Sequence, residues 1–338
     1  MRRIALIIGG GRGERFWPKS RYHWPKQFLS LTNKKPLIWN TCARLKGFID
    51  QKDIWVIIPE DLKRGLKKIL PRANVIVEPE GRNTAPAIAY ATLCLRKKYG
   101  DSVMFVLPAD HWISDRERFI KTLSIAYQHA AGNSLVTIGI KPTRPDTGYG
   151  YIQVDGKVGR HVYRVLKFKE KPDRDTAERY LAMGGYYWNS GIFIWRTERI
   201  IEELEKQMPK LMKKLRSFKK TKRKSIYTRL EPISVDYGVM EGAEDVIMIE
   251  SGFDWDDLGT WNALARHLES DALGNVCVGR INIHDCKSSI LYADEGIIAA
   301  LGIDDMIVVR TKNAVLVCPR SRANEVKALI QNLRKEER

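Results

Sequence analysis

Cysteine is sparse in this 338-residue chain: Cys42, Cys94, Cys277, Cys286 and Cys318 are odd in number and widely spaced. No C-x-x-C pair or His/Cys cluster suggests zinc, and the five read as reduced, mostly buried thiols. Apolar runs long enough to span a membrane are missing too. The N-terminal apolar stretch has neither the length nor the cleavage site of a signal peptide, so a cytoplasmic protein with no membrane partner is expected. Acidic residues are in deficit, 40 against 58 Lys and Arg, for a formal net charge of +18. Such a surplus suggests polyanionic partners, but the basic segment from Lys206 to Lys224 lacks the interleaved aromatics of a single-strand binder. Its Leu204, Met208, Leu211, Met212 and Leu215 instead fit a helix with a solvated basic face, and no nucleic acid is expected. A positive field serves small polyanionic substrates equally well.

Two familiar glycine signatures are also lacking. No Lys-Ser or Lys-Thr closes a Walker A loop, and Glu14 stands where a G-x-G-x-x-G pattern from Gly9 needs its last glycine. What is present is Gly9-Gly10-Gly11-Arg12-Gly13-Glu14-Arg15-Phe16-Trp17-Pro18, then Pro25-Lys26-Gln27-Phe28. The short apolar run Arg3 to Ile8 before it suits a buried parallel strand, and glycines after such a strand let backbone N–H groups turn inward around an anion. Arg12, Arg15 and Lys26 add positive charge, arginine gripping phosphate bidentately and lysine acting as a point charge. A tight turn needing glycine for backbone reasons alone is the competing account.

At 44% hydrophobic content the chain can bury one large domain and a smaller one. Strand-like runs at 3–8, 54–58, 74–77, 103–107 and 134–140 alternate with helical patterns near 36–48, 61–70, 84–98 and 116–131. This predicts a doubly wound, mostly parallel α/β sheet, with ligands outside the carboxyl ends of the strands. The segments there are the glycine loop, Glu78 to Pro86, and Leu107-Pro108-Ala109-Asp110-His111. Asp110 with a second carboxylate, waters and phosphate oxygens would complete a Mg²⁺ octahedron. The second acid is sought in Phe253-Asp254-Trp255-Asp256-Asp257-Leu258-Gly259-Thr260-Trp261, where Asp256 or Asp257 could equally cap a helix starting near Trp261. His111 reads as a ligand or as a hydrogen-bonded structural partner.

These motifs together resemble the sugar-nucleotide pyrophosphorylases, and among them the mannose-1-phosphate guanylyltransferases, or GDP-mannose pyrophosphorylases. The resemblance rests on Ile8 to Arg21, Pro25 to Phe28, Gly81 to Ala87, Pro108 to His111, Thr147 to Ile152, Phe168 to Pro172, Trp188 to Phe193, Ser234 to Glu241 and Trp255 to Trp261. It runs to about residue 265. It implies a Rossmann-like, GT-A-type nucleotidyltransferase domain over 1–265. It further implies condensation of GTP with mannose 1-phosphate to GDP-mannose and pyrophosphate, without a covalent enzyme intermediate, by alignment of two polyanions.

On these residues the resemblance implies that Arg15 and Lys26 hold the triphosphate and the departing pyrophosphate. Asp110 and Asp257 match the two metal-binding aspartates, for Mg²⁺ or another divalent cation. Gly10, Gly11, Arg12 and Gly13 line the nucleotide with Glu78, Arg82, Asn83 and Thr84. Glu78 stands where thymidylyl relatives carry an amide, and a carboxylate there can accept both guanine N1–H and N2–H; a solvated strand-end acid is the plainer reading. Glu170 and Asn189 match sugar-hydroxyl positions, Gly148 a close backbone contact and Lys171 the phosphate anchor, with Asp236 in the same matched region.

Glu14 departs from the family's threonine and puts an acid near the triphosphate unless it points away, pairs with an arginine or meets the metal. From 270 to 338, short β runs at 275–283, 288–292, 297–301, 306–310 and 314–318 precede a helical stretch from Arg322 to Arg334. A β-rich domain is expected there, a truncated left-handed β-helix supporting a homodimer, although no hexapeptide repeat is regular enough to name. Since the chain ends soon after, no isomerase-like extension or phosphomannose isomerase activity is expected. Two other functions fit parts of the pattern: a non-catalytic nucleotide-sugar sensor, and a nucleotide-sugar-dependent glycosyltransferase.

Overall fold

The computed structural model describes residues 1–218, 223–334 and 337, so 219–222 of the basic segment lie outside the described residues. Strand β1 (Arg3–Ile8) shows why the sheet forms where it does. Its alternate side chains serve two cores, Ala5 and Ile7 packing on one face and Ile4 and Leu6 on the other. Beside it lie β2 (Ile54–Pro59), β3 (Asn74–Glu78) and β4 (Val103–Pro108), all paired in parallel in the order β3-β2-β1-β4. Helices α1 (Leu37–Arg44), α2 (Glu60–Ile69) and α4 (Arg116–Ala131) cover the first face, and α3 (Thr84–Tyr99) the second. Helix α1 stops well short of the predicted residue 48, turning away ahead of Gly47 (φ 82°).

Beyond β4 the sheet is mixed. It continues through β6 (Leu135–Ile140), β7 (Tyr151–Gly159), β8 (Val162–Lys169), β9 (Tyr186–Arg196) and β10 (Val246–Glu250) in the order β4-β9-β6-β10-β8-β7. β9 runs antiparallel to both β4 and β6, whereas β10 runs parallel to β6. The hairpin β7–β8 reaches back so that β7 also pairs with β9, which brings Tyr151 beside Trp188. A small pair, β5 (Trp112–Ile113) with β11 (Trp255–Asp256), ties the Asp110 segment to the Asp257 segment. Helix α5 (Arg174–Met183) packs outside β9, while α6 (Thr197–Gln207), α7 (Pro209–Arg216) and α8 (Arg223–Tyr227) join α3. Leu204, Leu211, Met212 and Leu215 of the basic segment are buried there, Pro209 starting the second helix as its first residue. Among the described residues no helix is long and apolar enough to cross a membrane.

After α9 (Trp261–Ala265) the chain forms a coil of β12 (Val276–Val278), β13 (Ile281–His284), β14 (Ile290–Ala293), β15 (Ile298–Leu301), β16 (Met306–Arg310) and β17 (Val315–Pro319). β12, β14 and β16 stack in parallel, β13 and β15 form a second parallel pair, and β17 closes the first sheet antiparallel. Ile281 sits beside Ile298 and Ile290 beside Ile307, an offset of 17 residues in each case. The predicted run 275–283 is broken at Gly279 (φ 90°), where a Cβ would stand 2.1 Å from the Ala293 carbonyl. The expected terminal helix is shorter, with α10 (Val326–Leu329) between two 3₁₀ turns. Ala323, Val326 and Ile330 bury there with Phe16, Leu29, Trp261 and Tyr292, so one apolar cluster joins the coil to the glycine-loop region. All five cysteines are free thiols, but only Cys286 is buried and Cys277 is exposed. Against the expectation of mostly buried thiols, Cys42, Cys94 and Cys318 are half-buried and β12 turns Cys277 outward on the coil's surface.

Candidate active site

The glycine loop leaves β1 held at both ends. Gly9 N–H donates to the Ile57 carbonyl at 3.0 Å, and the buried Gln27 amide donates to the carbonyls of Gly9 (2.6 Å) and Gly11 (2.9 Å). Gly13 has φ 62°, and a Cβ there would lie 2.2 Å from the Lys26 Cβ, so only glycine lets the loop close over Lys26. Gln27 is a residue the sequence reading quoted without giving it a task. Arg15 is exposed and, among the described residues, has no ion-pair or hydrogen-bond partner. Arg12 instead grips Asp61 (2.9 Å) and lies 4.2 Å over the Tyr22 ring, which turns it away from the loop. Glu14 meets Lys327 of α10 at 3.4 Å, so its charge is directed to the coil.

Lys26 is the centre of the site. Its buried ammonium lies 2.7 Å from Asp110 Oδ2 and donates to the Asp257 carbonyl at 2.6 Å, joining the ends of two segments far apart in sequence. Burial pushes the Asp110 carboxyl up, but the charge of Lys26, the charge that His111 gains only in acid, and the Lys26 hydrogen bond outweigh it and hold it below the usual aspartate range. Asp257 goes the other way: burial, with Asp256 and Asp110 adding to it, overcomes Lys26 and raises its carboxyl. Its Oδ1 accepts from Tyr149 OH (3.1 Å) and Gly259 N–H (2.8 Å), and among the described residues no donor reaches Oδ2.

Neither acid caps α9; Thr260 does, accepting from Ala263 N–H at 3.3 Å. Asp256 is consumed by Arg266 (2.7 Å), His267 (3.0 Å) and Leu258 N–H (2.8 Å). Burial raises its carboxyl, but those partners win and bring it to about 2. His111 accepts from Trp255 Nε1–H at 3.0 Å, and burial lowers it to about 4, so it is a neutral structural partner. Among the described residues no cluster of three or more His, Cys, Asp or Glu could hold a metal by itself. Two carboxylates are nevertheless a fitting hard-oxygen donor set for Mg²⁺, which commonly fills its shell with waters and substrate phosphates.

At the end of β3, Glu78 is buried beneath the glycine loop. Its Oε1 accepts from Tyr227 OH (2.8 Å) and Arg82 N–H (3.3 Å), and burial raises it to about 7 despite those bonds. Arg82 pairs with Glu80 at 3.3 Å. Asn83 takes the left-handed backbone (φ 67°) to start α3, and Thr84 Oγ1 accepts from Val235 N–H at 2.8 Å. On the far side, Asn189 donates to Asp236 at 2.6 Å, and Asp236 is raised to about 6 by burial and by Glu170. Lys171 has φ 43° and pairs with Glu170 at 2.5 Å. Gly148 N–H is held by Asp146 Oδ1 (2.9 Å), while Gly150 is the glycine packed on Glu170, whose Oε2 a Cβ would meet at 2.5 Å. Leu258 (φ 48°), beside Asp257, is a third non-glycine residue in left-handed backbone at this rim, where strained positions tend to gather.

A cavity of about 220 Å³ joins the two sides, with Gly11, Gln27, Thr84, Asp110, Gly191 and Asp236 on its wall. Nucleotide-side and sugar-side candidates therefore share one crevice at the strand ends, as expected for an open α/β sheet. Of the expected site residues only Gly11, Thr84, Asp110 and Asp236 stand on its wall; Lys26, Glu78, Glu170, Asn189 and Asp257 are outside its lining, and Arg12 and Arg82 are tied to surface acids. A larger cavity of about 630 Å³ lies between the C-terminal ends of α1 and α2 and contains none of these residues.

This fold and crevice define a nucleotidyltransferase: the nucleotidyl transferase family matches residues 4–272, and the MannoseP isomerase/GMP-like beta-helix domain matches residues 280–333. A mannose-1-phosphate guanylyltransferase of Klebsiella pneumoniae is 38% identical over 99% of this chain and 74% of its own length, and one of Escherichia coli K12 is 36% identical over 98% and 74%. The crystal structure of mannose-1-phosphate geranyltransferase from Thermus thermophilus superposes with a TM-score of 0.91 at 34% identity, covering 98% of this chain and 99% of that one. The chain belongs to the mannose-1-phosphate guanylyltransferase family.

Proposed function

We propose that this chain joins GTP and mannose 1-phosphate into GDP-mannose. A phosphate oxygen of the sugar phosphate bonds to the α-phosphorus, the bond to the β-phosphate bridging oxygen breaks, and pyrophosphate leaves with that electron pair. The observation carrying this reading is Lys26, which reaches Asp110 and the Asp257 backbone beside the glycine loop, with Asp110 lining the same crevice as Asp236. Loop N–H groups, Arg15 and Lys26 would hold the triphosphate, while Asn189, Asp236, Glu170 and Lys171 would hold the sugar phosphate. A divalent cation such as Mg²⁺, held by Asp110 and Asp257, would neutralise charge on both reacting phosphates. Every other contribution is alignment and charge complementarity from the chain itself. The sensor and glycosyltransferase readings are not favoured, since relatives across nearly the whole chain are named for the transferase.

Pyrophosphate release by the purified chain with GTP and Mg²⁺ is expected to require mannose 1-phosphate. Equal release with no sugar phosphate, or none with any, would refute the assignment. A cytoplasmic setting and a homodimer through the coil, whose Leu301, Val315 and Val317 are exposed, belong to the same reading. A monomeric mass by light scattering at micromolar concentration would remove the dimer.

Glu14 gives a smaller test. Lys327→Glu sets a second acid beside it, and for so exposed a pair the effect is about threefold in KM for GTP. The exchange Glu14→Lys with Lys327→Glu is expected to restore the value, because it restores the pair; failure to restore would mean that Glu14 acts on the nucleotide directly.

A further inference from the structure

Against Glu78, the candidate guanine reader, lies a residue with no assigned role, Tyr227. It is fully buried at the end of α8, packed 5.9 Å from the Tyr90 ring and 6.2 Å from Phe218, and among the described residues its hydroxyl has one hydrogen-bond partner, Glu78 Oε1. Oε1 also takes the Arg82 N–H, so that oxygen is occupied by two donors from the protein. Oε2 is the atom facing the glycine loop, 3.5 Å from where a Cβ on Gly10 would be. Among the described residues the charged and titratable groups acting on this carboxyl are Glu80, Arg82 and Tyr227, with Tyr90 in turn beside Tyr227. The chain after Tyr227 is pinned across the entrance, Ile233 accepting from Ala85 N–H (3.1 Å) and Val235 donating to Thr84.

We propose that Tyr227 is a specificity-positioning residue: by donating to Oε1 it turns Glu78 so that Oε2 is presented beside Gly10 to the N1–H and N2–H edge of guanine. This rests on Glu78 as the guanine reader. Tyr227 does not touch the base and acts only through that carboxylate. Its donation also favours the ionised acceptor, against burial and the neighbouring Glu80, which hold the carboxyl near 7 in the free protein. A protonated Glu78 would present a donor to guanine's donors, so GTP affinity falls as pH drops through that range. Without the phenol the fall begins at higher pH.

The test uses the full chain with Tyr227→Phe, Glu78→Gln and the double variant, measuring kcat and KM for GTP and for ITP on either side of neutral pH with saturating mannose 1-phosphate. ITP keeps N1–H but lacks the N2 amino group and titrates its phosphates as GTP does, so their ratio isolates the N2–H contact. Phenylalanine fills the same aromatic packing, and melting temperatures show whether the fold is kept. For Tyr227→Phe the preference for GTP over ITP is expected to drop roughly tenfold, the loss of a hydrogen bond to a charged group, carried in nucleotide KM more than in kcat. The pH profile for GTP should move up, and the double variant should lose no more preference than Glu78→Gln alone. If Glu78→Gln lowers the preference and Tyr227→Phe leaves both it and the pH profile unchanged, Tyr227 is a core residue and the proposal is overturned. If Glu78→Gln itself leaves the preference unchanged, the guanine-reader assignment falls and the role of Tyr227 falls with it.

Discussion

Asp257→Asn is expected to lower pyrophosphate release by about 10³-fold, the scale of losing one pre-organised group that stabilises charge in a transition state. Its neighbour should behave differently. Asp257 Oδ2 is open to a ligand and its backbone carbonyl holds Lys26, whereas all of Asp256 is engaged by Arg266, His267 and Leu258. Asp256→Asn should therefore act first on stability, at about 2 kcal/mol, less than a fully buried pair because Arg266 can turn to water. The sign follows from the depressed carboxyl: its stabilisation is complete above an ordinary aspartate value near 3.8 and is lost as pH falls through about 2. The gap in melting temperature between wild type and Asp256→Asn should thus be full at neutral pH and close in acid. Comparable activity losses in both variants, with no difference in melting, would erase the distinction between the two acids.

That distinction marks where sequence reasoning ends. The glycine loop and the residues after β3 and β4 were legible because buried parallel strands are short apolar runs, and the chemistry follows where such a run stops. Choosing between Asp256 and Asp257 rested on family likeness alone. The physical reason lies in Arg266 and His267 on the turn after α9, and the expected competing role as a cap passed to Thr260. Strands β7 and β8 were illegible for another reason: most of their residues from Asp155 to Lys167 face solvent, and charged residues are mixed there with Gly156, Val158, Gly159 and Leu166, which blurs the alternation. The coil has a 17-residue offset rather than a hexapeptide period, and its first turn, Val276 beside Ile290, is shorter still. Glu14 with Lys327 and Glu78 with Tyr227 join residues too distant in sequence for any local pattern to suggest.

Lys26→Met should separate the two roles of the site's central cation. The ammonium is buried against Asp110, and removing it leaves a carboxylate only partly reached by water, so a loss of about 2 kcal/mol is expected. Activity should fall about 10³-fold, because the remaining unpaired cation of the loop, Arg15, lies exposed, where water and salt screen its charge. Arginine is a poor replacement: Gly13 packs directly on the Lys26 backbone and Cβ, and a planar fork cannot reach Asp110 Oδ2 and the Asp257 carbonyl as one tetrahedral ammonium does. Adding Asp110→Asn to Lys26→Met removes the stranded charge and should return most of the lost melting temperature while restoring no turnover. Recovery of both together would reduce Lys26 to a structural counter-ion. Recovery of stability alone would show that the stranded Asp110 carboxylate caused the loss of stability, while the turnover lost in Lys26→Met itself, with Asp110 intact, reports the charge that the ammonium offers to the phosphates.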